Sequence, residues 1–503
     1  MSGVAEGSGR GGRGPRWAPP SGSRGASEDA AKFSRRQALR ASAAGLAAVA
    51  VSQAVVAAPS VAAAALTPAD PTTTVVWNPL CSYFSFSPKV ALPLIADATG
   101  PFLSKHPGLR LKSAGVMLNT GATVASILAG AGPDVFPDNS VSPYTSQHMV
   151  LDLAPYMSQD NVPASLFATS QMAKFTSPLG QVFMLPSYTG ATALIVNESM
   201  LDEAGLTYPQ PDWTYLQWTS LFRSMARKTT KGLRYGTTLF DAYTAPSAFY
   251  FHGFGASLVS ESNPSRCGLD QAGGLECTTW IYELLHDNLA FFADGGQFAA
   301  MKSYGEGLVV APHVWQQRLF LWPGVLSGTK WDFYPMPVWP VRPASFTNSD
   351  FWAINASTKV PEAAWELLKW LTVDGTYSRL FMRFGLTPPN LKSLWPEWES
   401  VVLSVAPIYR GKNLGVFGQY VLADHVYPGR DFAYQSDTAR SFLSAGMSQI
   451  WSGTVTPELG IRQTVQRVNA FETAAAATSK PLPSGLIDQF PQAPTGKTSG
   501  ASG

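Results

Sequence analysis

Aromatic and polar side chains follow β-branched or apolar runs at several places in this sequence, a combination that suits ligand binding. Trp77, Asn78 and Tyr83 follow one such run, and His313 and Trp315 follow another. The apolar C–H faces of a sugar ring stack on aromatic rings, and its hydroxyls need hydrogen-bonding side chains. These residues therefore predict a site for a flat, hydroxylated ligand. Two alternatives stay open, since Trp77 and Tyr83 also suit packing on their own surroundings and an isolated histidine is more often structural.

The sequence contains none of the motifs that mark common hydrolases or nucleotide-binding enzymes. GxSxG, HExxH and the phosphate-loop pattern are absent. Acids and aromatic residues also line the sites of glycoside hydrolases, but the sequence shows no pair of acids in the roles of acid and nucleophile. We therefore expect no catalytic residues and no cofactor, and a secreted glycoside hydrolase remains the alternative from another class.

The three cysteines lack the spacing of a metal site, because no CxxC pair and no Cys/His ligand pattern occurs. Cys267 and Cys277 are close in sequence and flank Gly268 and Gly273-Gly274. In an oxidising compartment this spacing predicts a disulfide between Cys267 and Cys277. Cys81 is then the third cysteine, outside the pair.

Length sets the expected number of lobes, and charge excludes one class of partner. With 503 residues the chain exceeds what one hydrophobic core organises, so at least two lobes are expected. The net charge is only +2, and much of the positive charge precedes residue 41. Because phosphate backbones require a clustered basic surface, nucleic acid is not expected as a partner. Aromatic residues make up 12% and include 15 Trp, a surplus that suits a stacking site.

The N-terminus resembles an export signal. Residues 1–33 are rich in Gly, Arg, Ser and Pro, and Arg35-Arg36 precede an Ala/Val-rich run that ends near residue 65. This order predicts disorder followed by a twin-arginine signal peptide, cleaved around residues 62–65. The run is too weakly hydrophobic for a membrane anchor, and Cys81 lacks the small preceding residues of a lipoprotein signal. The mature protein is therefore expected outside the cytoplasm, not as a lipoprotein.

Strand and helix patterns alternate in the first part of the mature chain. Residues 72–78 and 109–116 predict strands, a helix lies between them, and a third strand opens at residues 133–136. Such alternation with short connections predicts a parallel sheet wrapped by helices. Thr214 and Asn197 are placed to cap later helices, and Gly205 is placed to end one.

Several segments resemble, in the same order, those of the extracellular solute-binding proteins that include maltose-binding protein. The likeness covers about Val75 to Phe471, with Val196 where the family usually has Tyr. The similar segments are Gly132–Phe136, Leu151–Tyr156, Gly180–Pro186, Ala193–Met200, Ala204–Leu206, Pro211–Thr214, Phe254-Gly255, Phe298–Met301, Phe351–Leu371, and Trp451–Gly453 with Thr456–Glu458.

The resemblance implies an α/β, two-lobed periplasmic-binding-protein-like fold with a ligand cleft between the lobes. It places interlobe crossings near Pro186–Thr192, Pro337–Ala344 and Phe384–Pro389. The implied divisions are a disordered N-terminus with signal peptide (1–65), first-lobe segments (66–186 and 339–385), second-lobe segments (187–338 and 386–479), and a disordered tail (480–503).

The resemblance also implies candidate ligand contacts. They are Asp138 and Asn139 after the third strand, Tyr188 and Thr189 at the first crossing, Asp241 and Tyr243 in the second lobe, Asp350 and Trp352 at a strand lining the cleft, and Arg430 with Tyr434 near a late turn. Carboxylates suit polyols because charge-assisted hydrogen bonds are the stronger kind. The Asp-Asn-Ser sequence after residue 137 also favours a plain turn.

The function that the resemblance implies is the capture of a carbohydrate by a monomer that delivers it to the permease of an ABC importer. A ligand sensor of the same fold stays open, because fold does not separate sensing from transport. A polyamine ligand also stays open. A phosphate ligand is disfavoured, because the predicted cleft loops supply only Arg430 as a cation.

Overall fold

The computed structural model describes residues 73–478, apart from short gaps at residues 80–87, 116–119, 140, 146, 178–179, 240–246, 294–296, 317–318, 320–321, 348–349, 386, 428, 430–431 and 435. The predicted signal peptide, the predicted C-terminal tail, Cys81, Tyr83, Asp241, Tyr243 and Arg430 lie outside the described residues.

Strands and helices alternate along most of the described chain. The strands are β1 (Thr73–Trp77), β2 (Leu109–Ser113), β3 (Val135–Asp138), β4 (Leu185–Pro186), β5 (Thr192–Asn197), β6 (Arg227–Thr229), β7 (Gly232–Leu239), β8 (Ala290–Phe292), β9 (Val309–Ala311), β10 (His313–Trp315), β11 (Trp331–Tyr334), β12 (Ser345–Phe346), β13 (Phe351–Ile354) and β14 (Val426–Tyr427). The α-helices are α1 (Pro88–Lys105), α2 (Thr120–Leu128), α3 (Ser142–Thr145), α4 (Ala154–Gln159), α5 (Thr169–Phe175), α6 (Glu198–Ala204), α7 (Tyr215–Met225), α8 (Ala248–Gly253), α9 (Gly274–His286), α10 (Gln297–Gly305), α11 (Pro323–Leu326), α12 (Pro361–Thr372), α13 (Thr376–Gly385), α14 (Trp395–Val405), α15 (Gly415–Leu422), α16 (Ser436–Trp451) and α17 (Pro457–Thr478). Short 3-10 helices lie at Ala164–Leu166, Lys392–Leu394 and Pro407–Tyr409.

The first lobe is built on a five-stranded sheet in the order β2-β1-β3-β13-β4. Its first three strands are parallel, as the sequence pattern predicted, with Trp77 opposite Val135. Strand β13 comes from much later in the chain and inserts antiparallel between β3 and β4. The first lobe therefore draws on two distant parts of the sequence.

The second lobe contains two further sheets. Strand β5 pairs antiparallel with both β10 and β11, while β7 pairs parallel with both β8 and β9. Every residue of β5 is buried, which explains its unbroken apolar run Ala193–Val196. Strands β12 and β14 form a separate parallel pair. The result is the two-lobed α/β fold that the resemblance implied.

Helix ends follow local signals in the sequence. The Asn197 side chain accepts from Met200 N at 3.1 Å, and helix α6 ends at Gly205 with φ 63°. Thr214 forms a reciprocal capping box with Gln217 at the start of α7. The predicted caps at Asn197 and Thr214 and the predicted stop at Gly205 are therefore confirmed.

The hydrophobic core is divided between the lobes but is continuous at one place. One large cluster joins first-lobe residues such as Trp352 and Tyr377 to Ile195 and Phe333 of the second lobe. Helices α14 and α15 contribute residues such as Trp398 to the same cluster. The second lobe has its own cluster around Trp218, Phe249 and Trp280.

None of the helices among the described residues combines the length and the hydropathy that a transmembrane span requires.

The structure corrects the predicted disulfide, because Cys267 and Cys277 are both free cysteines. Both are buried in the core of the second lobe. The two cysteines lie in different parts of the fold, since the Cys267 amide donates to the Asn469 side chain (Oδ1) at 2.8 Å, whereas Cys277 lies inside α9. Burial raises the pKa of the Cys267 thiol to about 12, so the thiol stays protonated as a small apolar side chain.

Candidate functional site

The carboxyl ends of β1 and β3 form one edge of the first-lobe sheet, and the sequence candidates gather there. Asn78 follows β1, and Asp138 and Asn139 close β3. Strand β13 runs the opposite way, so its first residue, Phe351, lies opposite Asp138 and brings Asp350 to the same edge. Ligands of open α/β sheets bind at this kind of edge.

The Asp138 carboxylate at this edge is held in place by its neighbours. Oδ1 accepts from Asn139 N at 2.6 Å, and Oδ2 accepts from the Tyr144 hydroxyl. Burial and the Asp138 charge raise the pKa of Tyr144, so the phenol remains a donor at neutral pH. The Asp138 side chain is itself buried, so its carboxylate stabilises the end of β3 from inside the lobe.

Two aromatic candidates belong to the core of the first lobe and not to an open surface. Trp77 is 4% exposed and Trp352 is fully buried, with their rings 6.3 Å apart. Tyr377 packs against Trp352 at 5.7 Å with its ring nearly perpendicular. We therefore assign both tryptophans to packing, and the packing alternative for Trp77 is the one that the structure favours.

Buried hydrogen bonds join three segments that lie within or next to the predicted crossings, and we call residues 187–191, 345–347, 350 and 387–390 the hinge. Ser187 donates to Asp350 O from both its amide and its hydroxyl, at 2.9 Å each. Thr192 N donates to Ser345 Oγ at 2.8 Å, and that hydroxyl donates back to Thr192 O at 2.8 Å. The first and second crossings are thus fixed to each other.

The third crossing is tied to the first by Asn390. Its Nδ2 donates to Pro186 O at 3.0 Å and to Thr372 O at 2.6 Å. In return Thr189 N donates to Pro389 O at 3.2 Å. Because all three crossings meet, a rotation of one lobe against the other must bend the hinge segments together.

Tyr188 and Thr189, which the resemblance placed at the ligand, are buried within the hinge. Gln171 of α5 donates to Tyr188 O at 3.2 Å and accepts from the Thr189 hydroxyl. The Tyr188 hydroxyl donates to Asp350 Oδ1 at 3.4 Å. These contacts define positioning residues, and no sequence signal singled out Gln171.

The described second-lobe candidates, His313 and Trp315, are the first and last residues of β10, which begins just after β9 ends at Ala311. His313 is buried next to Tyr250, whose hydroxyl lies 3.2 Å from Nε2. Burial lowers the pKa of His313 to about 3, so the ring is neutral at physiological pH and serves a structural role. Trp315 is only half-buried and packs on Phe346 of the second crossing at 5.6 Å.

Tyr434 lies in a short segment just before α16 and is 37% exposed. Its amide donates to Glu472 Oε2 at 3.1 Å, and Glu472 is fully buried. Burial raises the pKa of Glu472 to about 7. The segment that contains Tyr434 is therefore held by a hydrogen bond to a buried carboxyl group that titrates near neutrality.

Sequence reasoning did not single out Lys174 or Arg440, although the charge of Arg440 acts on Lys174 in the fold. Lys174 lies on α5 of the first lobe and Arg440 on α16 of the second lobe, and both are half-buried. Burial and, next, the charge of Arg440 lower the pKa of Lys174 to about 8, while Asp350 acts in the opposite direction. Among the described residues no group of three or more His, Cys, Asp or Glu is placed to hold a metal ion.

Two α/β lobes whose connecting segments are joined by buried hydrogen bonds are the architecture of binding proteins of the periplasmic type. Residues 87–377 match the bacterial extracellular solute-binding proteins, and the chain belongs to that family. The family and the structural relatives described below are binding proteins rather than enzymes. No curated protein sequence matches the chain.

Solved structures share the fold at low sequence identity. An ABC substrate-binding protein from Listeria monocytogenes, in complex with cycloalternan, aligns with a TM-score of 0.60 and 15% identity, over 79% of this chain and 98% of that chain. The cyclic alpha-maltosyl-1,6-maltose binding protein from Arthrobacter globiformis gives 0.62 and 14%, over 80% and 98%. UgpB from Mycobacterium tuberculosis, in complex with glycerophosphocholine, gives 0.60 and 15%, over 81% and 99%.

Proposed function

We propose that this protein captures a carbohydrate between its two lobes and delivers it to the permease of an ABC importer. The observation that carries the proposal is the arrangement of strand ends and hinge. In the first lobe, polar residues lie at the ends of β1 and β3, and in the second lobe Trp315 lies at the end of β10. Buried hydrogen bonds join the segments at the crossings. The relatives solved with cycloalternan and named for cyclic maltosyl-maltose support a carbohydrate ligand.

The lobe boundaries near residues 186, 338 and 385 are part of the same proposal, as are a monomeric state and the absence of catalysis. Closure would bring the two site edges together on the ligand and exclude water from it. Binding energy must then offset the cost of shifting an open ensemble to a closed one. Compaction on saturation is therefore the signature of this function.

A thermal-shift screen of mono- and oligosaccharides on the purified mature protein tests the proposal, because a ligand that binds only the folded state raises its melting temperature. Hits are then examined by isothermal titration, by small-angle scattering and by analysis of the recovered sugar. We expect one-to-one binding, compaction and unchanged sugar. Turnover of the sugar would favour the hydrolase, and no hit in the screen would contradict carbohydrate capture.

We also propose export through the twin-arginine signal and function outside the cytoplasm. The support is the Arg35-Arg36 pair ahead of the Ala/Val-rich run. Replacing both arginines by lysine keeps the charge but removes the recognised pair, so the protein should stay in the cytoplasm. A single Lys substitution at Arg40, outside the pair, is the matched control. Normal export of the double variant would contradict this assignment.

A further inference from the structure

A small cavity lies in the hinge, where the first and third crossings meet α13. Ser187 and Tyr188 line it from the first crossing, Tyr377 and Ser378 from α13, and Thr387 from the third crossing. All five of these residues are buried. The cavity has a volume of about 10 Å³. One water molecule requires roughly 10–15 Å³, so the cavity has the size of a single water site.

The hydroxyl group of Thr387 is buried at this cavity without a protein partner. Thr387 is 3% exposed, and its Oγ1 has no hydrogen-bond partner among the residues that the structure describes. The amide of the same residue does have one, since it donates to Phe381 O at 3.3 Å. Burial of an unbonded hydroxyl is costly, and the large majority of buried side-chain polar groups bind either protein or ordered water. The Thr387 hydroxyl therefore calls for a partner that is not protein.

Two serines at the same cavity can complete the bonds of a water molecule. The Ser187 hydroxyl donates to Asp350 O at 2.9 Å, and a hydroxyl that donates once can still accept. Ser378, on α13, is 6% exposed and brings a further hydroxyl. A buried water molecule typically makes about three hydrogen bonds. Thr387, Ser187 and Ser378 together supply three hydroxyl groups.

We propose that the hinge binds one structural water molecule in this cavity. The water joins the Thr387 hydroxyl of the third crossing to Ser187 of the first crossing and to Ser378 of α13. Water-mediated hydrogen bonds are nearly as favourable in enthalpy as direct ones. A water molecule can also reorient when the segments around it shift, which suits a place where two lobes turn against each other. This site does not depend on the solute that the protein captures, so the inference goes beyond the proposed function.

Urea unfolding of the purified mature protein tests the proposal through Thr387→Val. The substitution keeps the volume and the branching of the side chain and removes only the hydroxyl. If that hydroxyl had no partner, valine would be at least as stable as threonine, because an unsatisfied buried group would be gone. If the hydroxyl binds water, valine breaks a hydrogen bond and leaves the water with fewer partners. We therefore expect Thr387→Val to unfold at a lower urea concentration than the wild type.

Thr464 on α17 provides the matched control. It is 2% exposed, and its Oγ1 also has no hydrogen-bond partner in the described part of the chain. This hydroxyl lies against Gly446 of α16, where the two helices approach so closely that even a Cβ at residue 446 would collide with it. No water molecule fits between Thr464 and Gly446. Thr464→Val should therefore leave the urea midpoint unchanged or raise it.

A crystal structure of the mature protein gives the direct measurement, and it decides the matter even if Thr387→Val does not fold. We expect one water peak in the cavity, about 2.6–3.2 Å from Thr387 Oγ1, and the same peak in Thr387→Ser, which keeps the hydroxyl.

The effects of Thr387→Val and Ser378→Ala on the free energy of unfolding should not add, because both act on the same water. Additive effects would remove Ser378 from the site. A cavity without a water peak, or a Thr387→Val variant that behaves like Thr464→Val, would overturn the inference. Neither of these results bears on carbohydrate capture, which the thermal-shift screen tests separately.

Discussion

The side chain of Asn390 gives a direct measure of how strongly the hinge holds the crossings together. It is 1% exposed, and its Nδ2 donates to Pro186 O and Thr372 O at 3.0 and 2.6 Å. Replacing Asn390 by alanine leaves both carbonyl groups without this donor in a space too buried for free access of water. Each lost buried hydrogen bond costs about 1–2 kcal/mol, so the variant should lose roughly 2–4 kcal/mol of stability.

The assay is urea unfolding of the mature protein followed by tryptophan fluorescence, with the free energy of unfolding extrapolated to water. Asn413→Ala is the control, because Asn413 is exposed and its Nδ2 donates to Phe333 O at 3.3 Å. The control should lose no more than about 0.5 kcal/mol, as is usual for surface substitutions. A loss in the Asn390 variant as small as in the control would refute the view that these bonds stabilise the hinge.

Three further predictions concern the second lobe. The pKa of Glu472 is raised from 4.5 to about 7, so the native state keeps a proton that the unfolded state releases, and stability falls as pH rises from 4.5 to 7. Glu472→Gln should therefore be more stable than the wild type at pH 8, by about 1–3 kcal/mol, but not at pH 4; equal differences at both pH values would contradict this. Without reductant, Cys267 and Cys277 should react with iodoacetamide in urea but not in the native protein, and a peptide that joins them by a disulfide in mass spectrometry would show that they are not free. Trp315→Ala should weaken binding of the carbohydrate by about 1–3 kcal/mol, whereas Trp370→Ala, in the first-lobe core, should lower stability and leave affinity unchanged. Unchanged affinity in the Trp315 variant would remove that ring from the site.

The order of elements and the helix ends could be predicted because their signals are local. The alternation of strands and helices sets a parallel sheet, and the Thr214 and Asn197 caps depend on residues within one helical turn. Local patterns do not reveal that the chain returns to the first sheet at Phe351–Ile354. That return could be predicted only from the resemblance to the family.

The roles of single side chains could not be predicted in the same way. A tryptophan at a strand end has the same type and spacing whether it faces a cleft or a core, and for Trp352 the outcome depends on Trp77 and Tyr377, which come from distant segments. Gln171 carries no motif, and its role in holding Tyr188 and Thr189 depends on segments that meet only in the fold. Cys267 and Cys277 are close in sequence, but the fold uses them as separate apolar residues.

The position of β13 also constrains the order of events during synthesis. Strands β3 and β4 both pair with β13, which follows almost the whole first pass through the second lobe. Until Phe351–Ile354 leave the ribosome, the edges of β3 and β4 lack their partner, and an open edge recruits strands from other chains. Assembly of the first sheet thus waits on a long-range pairing, which slows folding. A nascent chain that stalls before Phe351 should consequently be prone to aggregation.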